Sequence, residues 1–464
     1  MIGKLMNRIH PRNRKFDKSL LTVTTSLGSL SLIALAVPVF WENIFNNLIG
    51  TLSTIVLSGY SEAAVAATGT VNIVFTLFVV LFISIATGAS MVISNLIGAE
   101  QLKKAESACW ASVILCGGIG IVCTALMLTL STQVITWMNL TGEAYDLALT
   151  YLRIRSCALT LQALSSIFLA IMRCYGYPKS AVITGAITNV CNLLFSVYAV
   201  YFAKTPALSG VSGVAWGTVL SQMIGLAIVL GVFIKLKLKL RRPESVRECG
   251  GYFGKILTIG IPTTISNGSF TLSQIITNSF AVLLGIHAVS GKIYFTTILS
   301  YAYLFSSSCG NANSLLIGRL CGAGQLEHAR KLNNAVVKFT IPANLLVSLG
   351  ILIFREPILS MFTDNQLIMD MAFGILLVDL IVEQARAVSH IYEYALRAAG
   401  DVTLTMIITL ISGWVFSVGL AYWLSIPCGM GLIGCWIGLA IDESIRAIFT
   451  FIRWQRGKWV ANLI

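Results

Sequence analysis

The sequence predicts an all-α integral membrane protein with twelve transmembrane helices. They form two six-helix lobes related by a pseudo-twofold axis along the membrane normal. Three observations carry this expectation. The 464 residues are 56% hydrophobic and only 11% charged, whereas soluble domains carry roughly 25% charged residues. Near-uncharged stretches such as TLFVVLFISIATGASMVI and ASVILCGGIGIVCTALMLTL approach the ~20 residues that cross a ~30 Å hydrocarbon core. Finally, the chain reads itself twice at an offset of 224 residues: ASMVISNLIGAEQLKKA (89–105) returns as NSLLIGRLCGAGQLEHA (313–329), with eight identities in seventeen positions. The same offset maps Pro38 onto Pro262, Ala64-Val65 onto Ala288-Val289, and MRCYG (172–176) onto LRAAG (396–400). A period of half the chain means two copies of one unit.

In the first copy the spans fall near 30–57, 66–97, 107–130, 145–172, 179–203 and 211–235. In the second they fall near 256–283, 288–317, 333–354, 368–396, 402–425 and 431–452. This divides the chain into an N-terminal arm (1–24), an N-lobe (25–235), a basic linker (236–255), a C-lobe (256–452) and a tail (453–464). Lys and Arg give the sidedness. The arm carries six of them and KLKLKLRRPESVRECGGYFGK seven. Lys103-Lys104, Arg173, Lys179, Arg330-Lys331 and RWQRGK share that side by alternation. GYSEAAVAA, STQVITWMNLTGEAYD and SIPCGMG, on the other side, have none, and only Lys204 and Arg355 break the pattern. The positive-inside rule therefore expects both termini in the cytoplasm, in a multi-pass protein of the plasma membrane, the inner membrane of a bacterium.

The net charge of +13 is thus a topology signal. Nucleic-acid binding would need a basic face with stacking aromatics, and these basic residues are juxtamembrane. The arm leads into a full span without a small-residue cleavage site, unlike a signal peptide. Eleven cysteines follow no repeating spacing and include no CxxC, so neither a zinc site nor a disulfide framework is expected.

Two six-span copies enter the bilayer from the same side, which makes them parallel repeats. Transporters built this way bind cargo near the midplane and alternate access by rocking the halves. Pro38 and Pro262 sit inside the first span of each copy. Proline frees a backbone carbonyl and bends the helix, so each is read as a candidate hinge, the other reading being a fixed kink that improves packing.

Span 10 carries the strongest chemical signal. Asp379, Glu383, Arg386, His390, Glu393 and Arg397 are spaced 4, 3, 4, 3, 4, which keeps all six within about 40° of one line along a helix. A midplane charge costs ~2.5–3.5 kcal/mol on insertion scales, so such residues face an interior and find partners. Asp379 and Glu383 are candidates for exchanging a proton or Na⁺; alternatively Glu383 and Arg386 form a permanent pair that locks packing. Arg386 keeps its proton and reads as a charge-tuning residue, with His390 as a relay or a hydrogen-bonded spacer. In span 12, Asp442 and Glu443 precede Arg446 and read as a self-neutralised, charge-tuning cluster.

Glu42 is the lone carboxylate of span 1 and the third coupling candidate, the other reading being a hydrogen bond to a neighbouring helix. With Asn43, Asn46 and Asn47 it makes a polar patch. Span 7 is uncharged but polar, with Asn267, Gln274 and Asn278 among its cavity candidates; such residues line a cavity or join helices by hydrogen bonds. His10, His287 and His328 have no metal-ligand companion, so no metal is expected.

On these residues the chain resembles the multidrug and toxic compound extrusion (MATE) transporters over about residues 25–455. The resemblance rests on the span-1 proline followed by LSTIVLSGYSEAAVAATG (52–69), on SNLIGAEQLKKA and GRLCGAGQLEHA, on MRCYGYPKSAV, and on LRAAGDVTLTM. It implies two six-helix lobes in a V, export driven by H⁺ or Na⁺ antiport, no cofactor beyond that ion, and cationic amphipathic substrates. It also implies a functional carboxylate in span 1 of some members, and in spans 7 and 10 of others. The span-1 place often held by Asp is here Ser53, span 7 has no carboxylate, and the span-10 place acidic in some members holds Arg386. EQARA (383–387) therefore points to a subgroup with its own coupling arrangement.

The expected partners are small cationic or amphipathic molecules and membrane lipid, for a monomer. A flippase for a lipid-linked precursor is the second reading, favoured by an interior rich in Arg and Lys. Arg155, Arg386 and Arg446 are instead opposed by more carboxylates, which favours cationic or zwitterionic cargo. An intramembrane enzyme lacks its constellation: there is no HExxH, no GxSxG and no GxxxxGK[ST]. A channel fits a duplicated, proline-broken bundle less well than alternating access does. At the 224-residue offset Glu42 faces Ser266, Asp379 faces Arg155, Glu383 faces Leu159 and Arg386 faces Gln162, while Arg397 and Arg173 agree. Such disagreements mark where coupling is to be sought.

Overall fold

A computed structural model describes residues 21–25, 28–58, 62–138, 142–203, 205 and 208–462. The expected basic arm up to residue 20, and positions 59–61 of the first expected loop, lie outside the described residues. A short antiparallel hairpin comes first, β1 (Thr22–Thr25) pairing with β2 (Gly28–Ser31). It straddles the boundary expected between arm and N-lobe. Its turn is closed by Gly28 at φ +110°, a conformation that glycine adopts without a Cβ clash. Leu21 and Val23 are buried at the basic end of the bundle.

The N-lobe follows as α1 (Leu32–Ser58), α2 (Glu62–Gly98), α3 (Leu102–Thr129), the short α4 (Ser131–Trp137), α5 (Glu143–Ser156), α6 (Ala158–Cys174), α7 (Pro178–Val197) and α8 (Gly210–Lys235). The fourth expected span is thus two helices, bent by 44° at Cys157. The fifth ends in a π-helical turn, Tyr198–Phe202. The C-lobe comprises α9 (Val246–Leu283), α10 (Ile286–Gly322), α11 (Leu326–Ile353), the short α12 (Arg355–Leu359), α13 (Gln366–Ala398), α14 (Val402–Ser412), α15 (Ala421–Ser425) and α16 (Leu432–Gln455). A π-helical segment, Gly413–Leu420, joins α14 to α15.

Helix α9 begins inside the segment read as a linker, because SVRE (245–248) is a capping box. Ser245 Oγ accepts from Glu248 N at 3.1 Å, and Glu248 Oε2 accepts from Glu244 N at 2.9 Å. The first bond satisfies an amide that the helix start otherwise leaves unpaired, and the second ties the residue before the cap to the first turn.

Among the described residues, seven helical stretches are long and apolar enough to cross a membrane, and the bent pair α5–α6 makes an eighth. The remaining four long helices, α9, α10, α13 and α16, carry the polar and charged side chains that define the interior of the C-lobe. Apolarity alone undercounts the bundle for that reason.

The two copies meet reciprocally. A Cβ at Gly98 would lie 2.0 Å from the backbone oxygen of Arg319, and one at Gly322 would lie 1.9 Å from that of Asn95. Each pair maps onto the other by the 224-residue offset, which is what a twofold between α2 and α10 requires. Small residues allow this approach of helix backbones. Farther along, Gly88 of α2 packs on Ile256 and Gly260 of α9. One apolar core, including Ile93, Ile97, Ile317, Leu320 and Leu396, spans both lobes at the basic end. At the other end the cores are separate: Phe75, Phe82 and Tyr151 in the N-lobe, and Phe295, Ile375 and Trp436 in the C-lobe. The lobes are therefore joined at one end and individually packed at the other.

Candidate functional site

The stripe predicted on span 10 forms on α13 and meets α16. Arg386 Nη1 donates to Glu383 Oε1 at 2.5 Å, and its Nε donates to Glu443 Oε1 at 3.2 Å. Arg446 is 2.7 Å from Glu443 and 3.0 Å from Asp442. Glu443, fully buried, therefore lies between two guanidinium groups and also accepts from Ser389 Oγ at 2.9 Å. Glu393 pairs with Arg397 one turn away and accepts from Thr409. The spacing places these pairs on one face, and α16 supplies what α13 alone cannot.

Asp379 stands apart from the pairs. Its Oδ1 accepts from Trp436 Nε1 at 3.3 Å, while its Oδ2 is buried without a hydrogen-bond partner. Glu383 Oε2 is likewise buried and unpartnered. Asp379 lines a cavity of about 190 Å³ with Gln274, Tyr303, Arg386, Trp436 and Lys292. Lys292 is 6% exposed and its Nζ has no partner. It was not among the residues predicted from sequence; the available signal was a lone lysine in the otherwise uncharged span 288–317. His390 packs edge-on to Tyr303, with ring centroids 5.4 Å apart, and lines a second cavity of about 210 Å³ with Asn267, Glu393 and Arg446.

The N-lobe interior has a different character. Arg173 Nη2 donates to both oxygens of Glu42, at 2.6 and 2.7 Å. A cation binding Glu42 would have to displace that guanidinium. Glu42 lines a cavity of about 510 Å³ together with Asn46, Asn72, Tyr151, Arg155 and Asn189. It also lines a smaller one of about 260 Å³ between α1 and α10.

The repeat appears again when the chain is compared with known proteins. A MatE family model matches residues 38–198 and 262–423, so both matches begin at the paired prolines Pro38 and Pro262. The chain belongs to the MatE family of transporters. It is a membrane transporter and not an enzyme. An "Uncharacterized transporter YisQ" of Bacillus subtilis is 29% identical over 435 residues, covering 93% of this chain and 95% of that protein. A "Probable multidrug resistance protein NorM" of Thermotoga maritima is 29% identical over 430 residues, covering 92% of each. A solved MATE family transporter of the MOP superfamily, in an outward-facing conformation, superposes with a TM-score of 0.85 at 20% identity, covering 96% of this chain and 98% of that one. That likeness shows the two-lobed, twelve-helix fold.

Within this MatE transporter, the predicted site residues separate into distinct groups. Asp379, Glu383, Arg386, Asp442, Glu443 and Arg446 are brought together, with His390 beside them. Glu42, Asn43 and Asn46 lie in the other lobe. Asn46 accepts from Asn189, and Asn43 Nδ2 donates across the lobe boundary to Ser308 Oγ at 3.3 Å. Asn47, on α1, is exposed. Asn267 Nδ2 also crosses the boundary, donating to Ser84 Oγ at 3.1 Å. Gln274 reaches the Asp379 cavity, whereas Asn278 is exposed on α9. Pro38 and Pro262 lie inside the continuous helices α1 and α9.

Proposed function

We propose that this MatE transporter exports small amphipathic molecules, cationic or zwitterionic, by alternating access in exchange for inward H⁺ or Na⁺. It works as a monomer in the inner membrane of a bacterium, with the basic end and both termini in the cytoplasm. The observation that carries the coupling is the charge of the C-lobe interior. Along the facing sides of α10, α13 and α16, Asp379, Glu383, Glu393, Asp442 and Glu443 stand against Lys292, Arg386, Arg397 and Arg446, which leaves one carboxylate in excess there. The buried Arg319 and Asp401 bond elsewhere, to the Cys174 carbonyl and to Arg453.

A buried, uncompensated carboxylate costs several kcal/mol. Taking up a proton or Na⁺ relieves that cost. The unpartnered oxygens of Asp379 and Glu383 are the atoms best disposed to take it. Uptake drives transport if the cation binds more tightly in one arrangement of the lobes than in the other. Separate cores at the end away from the basic side fit a state open to the outside. Rocking about the α2–α10 contact would reverse it. The multidrug name of the Thermotoga relative supports an amphipathic cargo.

Efflux from a transporter-deficient bacterium, and from vesicles with an imposed H⁺ or Na⁺ gradient, tests this reading. Asp379→Asn and Glu383→Gln should each lose the dependence on the gradient. Wild-type gradient-driven rates in both variants would remove the coupling site. Movement of labelled lipid precursors, without any small amphipathic molecule, would replace the cargo class.

A further inference from the structure

We propose that the N-lobe cavity holds an acidic group of the cargo on Arg155, so that the transported molecule carries one carboxylate. This deepens the exporter reading and rests on it. At about 510 Å³, the cavity lies within the range that encloses drug-sized molecules. Arg155 stands at the bend between α5 and α6, half-buried.

One side of its guanidinium is held by neutral groups. Nη1 donates to Asn72 Oδ1 and, at 2.7 Å, to the Tyr151 hydroxyl, while the Arg155 guanidinium carbon lies 4.6 Å from the centroid of the Phe75 ring. Among the described residues Nε and Nη2 make no hydrogen bond, and no carboxylate lies within ion-pair distance of Arg155. Along that Nε–Nη2 edge a guanidinium donates to both oxygens of a carboxylate.

The charge around the cavity points the same way. Glu42 is taken by Arg173, so Arg155 leaves the cavity one positive charge in excess. A cation at membrane depth requires a counter-charge, and a single guanidinium matches a monoanion better than a phosphate dianion. At the equivalent place in the C-lobe the protein supplies its own carboxylate, Asp379. Hydroxyl and amide groups such as Gln162, Thr188 and Asn192 line the remaining wall and can bond the polar body of such a molecule.

The test uses the full chain in phosphatidylcholine nanodiscs, where no anionic headgroup competes. Dansylglycine and dansylcadaverine carry the same fluorophore, with a carboxylate and an ammonium respectively. The wild type is expected to bind dansylglycine more tightly. Arg155→Gln should weaken dansylglycine by about tenfold or more, as loss of one charge-assisted pair implies, and leave dansylcadaverine bound no more weakly than before. Arg155→Lys, which keeps the charge but not the fork, should fall between.

In the wild type, acetate should displace dansylglycine and methylammonium should not, a readout that does not depend on a variant folding. Equal binding of dansylglycine by wild type and Arg155→Gln overturns the proposal. So does a wild type that binds only dansylcadaverine, or neither dye. Gradient-driven efflux is measured separately, so failure of the carboxylate site is distinguished from failure of the exporter reading.

Discussion

Glu42 and Arg173 form a two-point ion pair between α1 and the end of α6, with Arg173 Nη2 2.6 and 2.7 Å from the two carboxylate oxygens. The repeat does not preserve it. Arg397, the counterpart of Arg173, pairs within its own helix with Glu393, and the counterpart of Glu42 is Ser266. The first helix is therefore tied to its lobe by charge on one side of the pseudo-twofold only.

Glu42→Gln should accordingly act on stability. Removing one partner leaves Arg173 uncompensated, and because both groups are partly exposed the loss is expected at about 1–3 kcal/mol. Glu42→Gln/Arg173→Gln should recover part of it in a double-mutant cycle, read by thermal unfolding of the purified protein. Loss of gradient dependence in Glu42→Gln without any shift in unfolding would instead make Glu42 a coupling residue.

Asp379→Asn should separate fold from coupling. An asparagine oxygen can still accept from Trp436, so thermal unfolding should stay within about 1 kcal/mol of wild type. Gradient-driven efflux should fall to the level seen without a gradient. An equal fall in stability and transport would make Asp379 a packing residue.

Lys292→Gln removes a buried positive charge from the wall of the Asp379 cavity. A like charge elsewhere on the same cavity wall opposes a bound cation by roughly 1.4 kcal/mol at an effective dielectric of about 20, a factor of about ten in affinity. The coupling cation should therefore half-saturate transport at roughly tenfold lower concentration, measured by titrating Na⁺ or pH against efflux. Half-saturation at a higher concentration would mean that Lys292 helps to hold the cation in place.

The contact of α2 with α10 should be intolerant of bulk. Gly98→Leu and Gly322→Leu each place a side chain where a Cβ alone meets backbone at about 2 Å, and neither backbone can yield cheaply. Each variant should abolish transport and widen the distance between spin labels placed at the basic ends of the two lobes. Wild-type transport in both would show that the lobes do not close on these glycines.

Much of the site was legible because its first layer is local. The spacing of Asp379, Glu383, Arg386, Glu393 and Arg397 predicts one face of a helix, and the Glu383–Arg386 and Glu393–Arg397 pairs lie within a turn of each other. Ser245 and Glu248 were equally local, yet the basic composition around them reads as linker until the capping bonds are seen. Lys292 escaped notice for another reason. A single lysine near the end of a span looks like one that reaches the interface, and only the packing of α10 shows it turned inward and buried.

From the sequence alone come the duplication, the twelve spans, the uneven placement of Lys and Arg, and the charged stripe of α13. Each depends on composition or on spacings of a few residues, which helical periodicity carries directly. The tertiary structure decided which charges neutralise each other. Glu42 meets Arg173 across 131 residues and Arg386 meets Glu443 across 57, and no local spacing encodes such pairs. It also decided that Arg155 lines the N-lobe cavity without a carboxylate partner among the described residues and that Asp379 lines the C-lobe cavity with an unpaired oxygen. The physical reason is that a buried charge is defined by its neighbours in space, and in a helical bundle those neighbours belong to other helices.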